Sequence, residues 1–306
     1  MSLTPVTVRS PAKVNLGLSV GAVDSDGYHP VATVYHAVSL YDEVKARPSG
    51  TSEEMTVSVT GEGQDHVPTD ETNLAVQAAR RLAKAFDVAE GVALSIHKTI
   101  AVAGGLGGGS TDAAAALLAC DALWQTGATR EDLYDVAAEL GSDVPFCLSG
   151  GTAIGTGRGE RLSAVLSRGS YEWVLAYAGD GLATPDVYAQ LDSMRAASRM
   201  AVSAPTVPED LMAALRSGDP YAVGPALHND LQPAALRLRP ALKRTLDLGE
   251  EYGALGSVVS GSGPTCLFLA SDAEHAVDLA VALSGSGLCT SVQRATGPVP
   301  GARITT

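Results

Sequence analysis

Five glycines fall within residues 104–109 of the segment Val102-Ala-Gly-Gly-Leu-Gly-Gly-Gly-Ser-Thr-Asp112, and the chain then runs straight into alanine and leucine. The first N–H groups of a helix have no partner inside it and carry partial positive charge, and glycine lets an anion approach them unobstructed. The stretch from Val102 and Ala103 through Gly104, Gly105, Leu106, Gly107, Gly108 and Gly109 to Ser110 and Thr111 therefore reads as a phosphate cradle. A flexible linker is the alternative, but linkers seldom lead directly into a capped helix. Two familiar phosphate loops do not fit. A dinucleotide fingerprint that begins at Gly105 and Gly107 meets Ser110 where it needs a third glycine, and a Walker loop over Gly104–Gly109 meets Ser110 where it needs lysine.

The elements that must hold this loop mix strands and helices. Val6–Arg9 and Val14–Val20 alternate as two half-buried strands. In the second, Val14, Leu16, Leu18 and Val20 share one face and Lys13, Asn15, Gly17 and Ser19 the other. Leu74–Phe86 has apolar residues at helical spacing, and Val92–His97 reads as a strand ending at Lys98. Ser110 or Thr111 is the expected N-cap of the helix after the glycines, and Thr129-Arg-Glu-Asp132 a capping box for a helix stopped by Gly141. Further on, the pattern predicts helices over 208–217 and 240–252, and strands over 257–260 and 266–270 joined by Gly261-Ser-Gly-Pro264. Without strict alternation, the fold class is α+β rather than a doubly wound parallel sheet. A Gly-rich bend at 155–159 and an Ala/Ser/Pro-rich stretch at 196–220 set a domain boundary near Gly157.

Composition narrows the partners. A net charge of −13 argues against a nucleic-acid or anionic-membrane surface, so a bound phosphate must be held locally. Cys120, Cys147, Cys266 and Cys289 lack metal-knuckle or framework spacing and read as buried reduced thiols. The start MSLTPVTVRSPAK has no signal-peptide apolar stretch, and no segment reaches membrane-span length, so a cytoplasmic protein is expected. The sequence is silent on oligomeric state.

Three segments read together carry a resemblance. Pro11-Ala-Lys-Val-Asn-Leu16, the glycine segment to Asp112, and Val259-Ser-Gly-Ser-Gly-Pro-Thr265 resemble, in order and over nearly the whole chain, the signature motifs of the GHMP kinases, which phosphorylate small alcohols with ATP. Asp26-Gly-Tyr-His29, Val38-Ser-Leu-Tyr-Asp42 and Gly141-Ser-Asp-Val-Pro-Phe146 are similar to the branch whose acceptor is a cytidyl-diphosphate-linked polyol. Mevalonate kinases and galactokinases usually carry Gly-Glu-His where this chain has Gly17-Leu-Ser19. The resemblance implies a two-domain GHMP kinase architecture. Residues 1–157 would form an ATP-binding domain like ribosomal protein S5 domain 2, to which a strand near 296–306 can return, and residues 158–306 a GHMP-type α/β substrate domain. The cofactors would be ATP and Mg²⁺, with no protein ligand of the metal named.

The resemblance also assigns roles. Asp143 becomes the general base and Lys13 its partner, stabilising the transferring phosphoryl group. Read alone, Asp143 is equally a helix N-cap and Lys13 a solvated strand-end charge. Ser110 and Thr111 are open to capping, phosphate binding or Mg²⁺ ligation. Asn73 and Lys98 match positions bordering an adenine pocket, and read also as a helix start and an exposed strand end. Asn15, Tyr28, His29 and Tyr188 face the alcohol substrate, the rings offering a cytosine stacking surface and edge contacts. Gly261, Ser262 and Gly263 would donate backbone hydrogen bonds near its phosphates, or form a plain hairpin turn. Rival readings are a kinase of another small alcohol and a nucleotide-binding protein without catalysis.

Overall fold

The computed structural model describes residues 4–25, 27–52, 54–179, 181–198 and 202–305; Asp26 and residues 199–201 of the Ala/Ser/Pro-rich stretch lie outside them. In chain order, the first part holds β1 (Val6–Val20), β2 (Val31–Ser52), β3 (Met55–Gly61), α1 (Leu74–Ala85), β4 (Glu90–Lys98), α2 (Gly108–Trp124), α3 (Arg130–Leu140), α4 (Val144–Ser149), β5 (Thr152–Gly157) and β6 (Arg161–Ala164). The second holds β7 (Tyr171–Tyr177), α5 (Thr184–Ser198), α6 (Glu209–Ser217), α7 (Pro220–Val223), β8 (His228–Asn229), α8 (Gln232–Leu238), α9 (Ala241–Glu251), β9 (Gly256–Val259), β10 (Thr265–Ala270), α10 (Ala273–Gly285), β11 (Ser291–Gly297) and β12 (Arg303–Ile304).

Two sheets pack face to face between two helical layers. The larger sheet runs β12-β1-β2-β4-β3, with β5 on β2, β6 on β5 and β8 parallel to β1; the smaller runs β11-β7-β10-β9. Period-two alternation explains the layering. On β7, Trp173 and Leu175 join Val14, Leu16 and Val34 between the sheets, while Val174 and Ala176 face Leu242, Leu246 and Leu279 of α9 and α10. Helices α1–α3 close the outer face of the larger sheet over Val44, Leu94 and Ile96.

The opening of the chain is one strand and not two. Pairing of β1 with β2 continues through Pro11 after a register shift between Pro11 and Ala12, and a second shift falls between Asn15 and Gly17. Such bulges absorb the N–H that proline lacks and bend the strand. The Gly157 limit falls inside the β5–β6 hairpin, because β5 takes β6 as its outer neighbour; the chain changes sheets between Ala164 and Tyr171. At the far end β12 pairs with β1, Val8 opposite Ile304.

Candidate active site

The glycine segment is a loop that closes on α2. Gly107 is the helix N-cap, in left-handed backbone at φ 73, and no side chain caps the helix. Neither Ser110 nor Thr111 is the N-cap: glycine can adopt this turn and leave the first N–H groups open. Thr111 is fully buried and its hydroxyl donates to the Pro11 carbonyl at 3.0 Å, away from the loop. Ser110 lines the cleft. The loop is pinned to β1 by the Lys13 N–H, which donates to Leu106 O at 3.0 Å. Gly105, at φ 76, presses on the Gly261-Ser-Gly263 turn so closely that a Cβ there would come within 2.4 Å of Ser260 O.

A cleft of about 410 Å³ opens beside the loop, lined by Lys13, Asn15, Tyr35, Asp143, Arg158, Tyr188, Gly261 and Ser262. Asp143 occupies the N-cap position of α4 but makes no capping hydrogen bond. Its carboxylate turns into the cleft, where Lys13 Nζ lies 3.3 Å from Oδ2 and the Tyr35 hydroxyl donates to Oδ1 at 2.8 Å. Lys13 Nζ also donates to Asn15 Oδ1 at 2.9 Å, and Asn15 Nδ2 to Thr33 Oγ1 at 2.7 Å. The register that begins after the shift at Pro11 sets Asn15 opposite Tyr35, and both line the cleft. Burial, with Asp143 adding to it, pushes the Tyr35 hydroxyl well above the usual tyrosine range, so it remains a donor.

Of the residues expected to hold the acceptor, Asn15, Tyr188, Gly261 and Ser262 line the cleft, while His29 and Tyr28 pack against the cleft-lining Tyr188 and Arg158. His29 Nε2 is 2.9 Å from Asp192 Oδ1, and its ring centroid 4.9 Å from that of Tyr188. Burial raises the Tyr188 hydroxyl to about 12. Tyr28 stands at the rim, 56% exposed, with the Arg158 guanidinium 3.8 Å from its ring centroid. Ser262 Oγ and Thr184 Oγ1 are 2.9 Å apart, and Asn229 Nδ2 donates to Val259 O and Gly261 O, both at 2.7 Å, which holds the turn in place.

Asn73 and Lys98 border a second cavity of about 280 Å³ on the other side of the loop, with Val102, Ala103, Gly108 and Gly109. Asn73 is the N-cap of α1: its Oδ1 accepts from Ala75 N at 2.9 Å and its Nδ2 donates to Pro68 O at 2.7 Å. Lys98 is not an exposed strand end. Its side chain is 2% exposed, donates to Asp42 and, at 2.6 Å, to Asp112 Oδ2, and reaches Gly108 O at 3.3 Å. Burial lowers the affinity of Lys98 for its proton, but Asp112 and Asp42 outweigh it and the net shift is upward. Asp112 moves up to about 8, burial outweighing the pull of Lys98.

Reading the chain by motif did not single out Tyr35, Arg158, Thr33, Asp192 or Asn229. Tyr35 lies on β2, and only the packing of α4 against that strand, Phe146 on the Tyr35 ring, brings it to Asp143. Asp42 and Asp112 stood inside quoted motifs without a role. A buried lysine needs carboxylate partners, which is the signal that could have found them. Among the described residues no three His, Cys, Asp or Glu side chains gather as a metal site, and no helix is long and apolar enough to cross a membrane.

Residues 73–151 match the model of the GHMP kinases N terminal domain and residues 211–288 that of GHMP kinases C terminal. The chain belongs to the GHMP kinases. A 4-diphosphocytidyl-2-C-methyl-D-erythritol kinase of Mycolicibacterium gilvum is 54% identical, covering 98% of this chain and 92% of its own. Another of that name from Thermobifida fusca is 54% identical, with 98% of each chain covered. A crystal structure of 4-(cytidine 5'-diphospho)-2C-methyl-D-erythritol kinase superposes with TM-score 0.78 at 33% identity, covering 95% of this GHMP kinase and 98% of that chain. A homoserine kinase from Cytophaga hutchinsonii, at 20% identity and TM-score 0.76, shares the fold.

Proposed function

We infer that this GHMP kinase transfers the γ-phosphoryl group of ATP to the 2-hydroxyl of 4-diphosphocytidyl-2-C-methyl-D-erythritol, giving the 2-phosphate and ADP, a step of non-mevalonate isoprenoid biosynthesis. One observation carries the reading: the Lys13–Asp143 pair faces the glycine loop across a single cleft, in a chain 54% identical to relatives of that name. Mg-ATP supplies the phosphoryl group. The open N–H groups at the start of α2 and the bare backbone of Gly104, Gly105 and Gly107–Gly109 fit its phosphates. Mg²⁺ fits beside them, held mainly through the nucleotide, with Ser110 the protein oxygen offered by the loop.

The alcohol oxygen forms a bond to the γ-phosphorus as the bond from that phosphorus to the β,γ-bridging oxygen breaks, and Asp143 accepts the hydroxyl proton. Lys13 compensates the charge on the transferring group and orients Asp143. Tyr188, backed by His29, offers the wall for the cytosine ring, with Tyr28 beside Arg158 at its mouth, and Gly261 and Ser262 of the turn face the acceptor's phosphates, the Gly263 N–H being spent on Ser260 O. The larger sheet carries the nucleotide side, and the acceptor side is shared, with Asn15, Tyr28 and His29 on β1 and its connection to β2 and Tyr188 on α5. The reaction is assigned to the cytoplasm, on a small molecule, with no nucleic-acid or membrane partner.

The test is ADP release by the purified protein with Mg-ATP and each of four alcohols: 4-diphosphocytidyl-2-C-methyl-D-erythritol, mevalonate, homoserine and galactose. Turnover confined to the first is expected. Turnover of another alcohol in its place, or of none, overturns the assignment.

A further inference from the structure

We propose that Tyr35 is a positioning residue for phosphoryl transfer: its hydroxyl clamps one oxygen of the Asp143 carboxylate so that the other lone pairs face the acceptor alcohol. The inference rests on the reading of Asp143 as the base. A carboxylate rotates freely about its last torsion, with only a broad two-fold preference, so a base held from one side alone spends much of its time misdirected. Here it is held from both sides. Lys13 on β1 approaches Oδ2 and Tyr35 on β2 donates to Oδ1, which leaves the remaining acceptor sites of each oxygen for substrate.

Tyr35 is itself built in with little freedom. It is 3% exposed, its ring stacks on Phe146 with centroids 4.9 Å apart, and the β5–β6 hairpin closes against it. Any Cβ on Gly155 would come within 2.5 Å of the Tyr35 ring, and any Cβ on Gly159, at φ 114, within 2.3 Å of its hydroxyl. Phe146 lies on α4, the helix that begins just after Asp143, so one short segment carries the carboxylate and the ring that aims the hydroxyl at it. The ring also lies 5.6 Å from Lys13 Nζ, which keeps the two holders of Asp143 in register with each other.

The variant Tyr35→Phe keeps the ring and removes only the donor. The expected result is a fall in kcat of about tenfold or more, the scale of one hydrogen bond to a charged group, with KM for ATP and for the alcohol unchanged. In an Asp143→Asn background the same change is expected to cost almost nothing further, because Tyr35 acts through Asp143. Unchanged kcat would reduce Tyr35 to packing, and a raised alcohol KM at unchanged kcat would make it a substrate contact; either overturns the proposal. Wild-type turnover of the cytidyl alcohol is the control that reports separately on the functional reading. Independently of turnover, a high-resolution crystal structure of Tyr35→Phe should have the Asp143 carboxylate plane rotated from its wild-type setting. An unrotated plane overturns the clamp.

Discussion

Two lysines lie on either side of the glycine loop, each between carboxylates or amides, and they do opposite work. Lys13 pairs with Asp143, whose side chain is 26% exposed and faces the cleft. Lys98 pairs with Asp42 and Asp112, 0% and 4% exposed, in a site closed to solvent. Asp42 also accepts from the N–H groups of Thr99 and Ile100, at 2.6 and 2.9 Å, while Lys98 reaches Gly108 O. The buried cluster thus ties the entry of the loop to its exit, and the Lys13–Asp143 pair opens on the cleft. Partial exposure is what separates the two pairs.

The sharpest break of this comparison is Asp143→Asn, which should lower kcat by a factor on the order of 10²–10⁴ while leaving ATP affinity nearly unchanged, by steady-state kinetics beside nucleotide titration. On the buried side, Lys98→Met should cost about 3–5 kcal/mol of stability in denaturant unfolding, since it strands the interior Asp42 carboxylate and takes from Asp112 its hydrogen-bond donor. Lys13→Met leaves Asp143 able to hydrate and should cost about 1 kcal/mol or less.

His36 sharpens the comparison as a buried titratable group whose Nδ1 lies 2.9 Å from the neutral Thr152 hydroxyl. It is fully buried against Tyr171 and Trp173, and burial lowers it from 6.5 to about 3. The unfolded chain binds its proton first, so stability present above pH 6.5 is lost as pH falls toward 3, at up to about 1.4 kcal/mol per pH unit. In His36→Gln that part of the slope should vanish from unfolding curves taken between pH 7 and 5. Asp112 is the other buried titrating case. Raised from 3.8 to about 8, its carboxyl has the opposite sign: its contribution is complete below pH 3.8 and is lost as pH climbs through 8. Asp112→Asn should flatten the thermal midpoint over that range relative to wild type.

The glycine loop and the helix after it were legible because their geometry is local: bare backbone runs directly into strong helix formers. The helices over 74–85 and 130–140 and the turn at Gly261–Gly263 were legible for the same reason, through apolar spacing, a capping box and turn residues. Ser110 and Thr111 misled because they are good capping residues in general, while Gly107 reaches a left-handed turn that they enter only with strain. The opening read as two strands, Val6–Arg9 and Val14–Val20, because the bulge that carries the pairing past Pro11 exists only once β2 is alongside.

The sequence by itself determined that bare backbone precedes a helix in the glycine segment, that the fold mixes sheets with helices, and which motifs the chain shares with the GHMP kinases. Only the tertiary structure decided which lysine is open and which is enclosed, that Asp143 turns away from the helix it precedes, and that Tyr35 reaches it. The reason is physical. Hydrogen-bonding capacity and backbone freedom belong to single residues and short segments, whereas burial and the pairing of charges depend on strands β1, β2 and β4 meeting across long stretches of sequence.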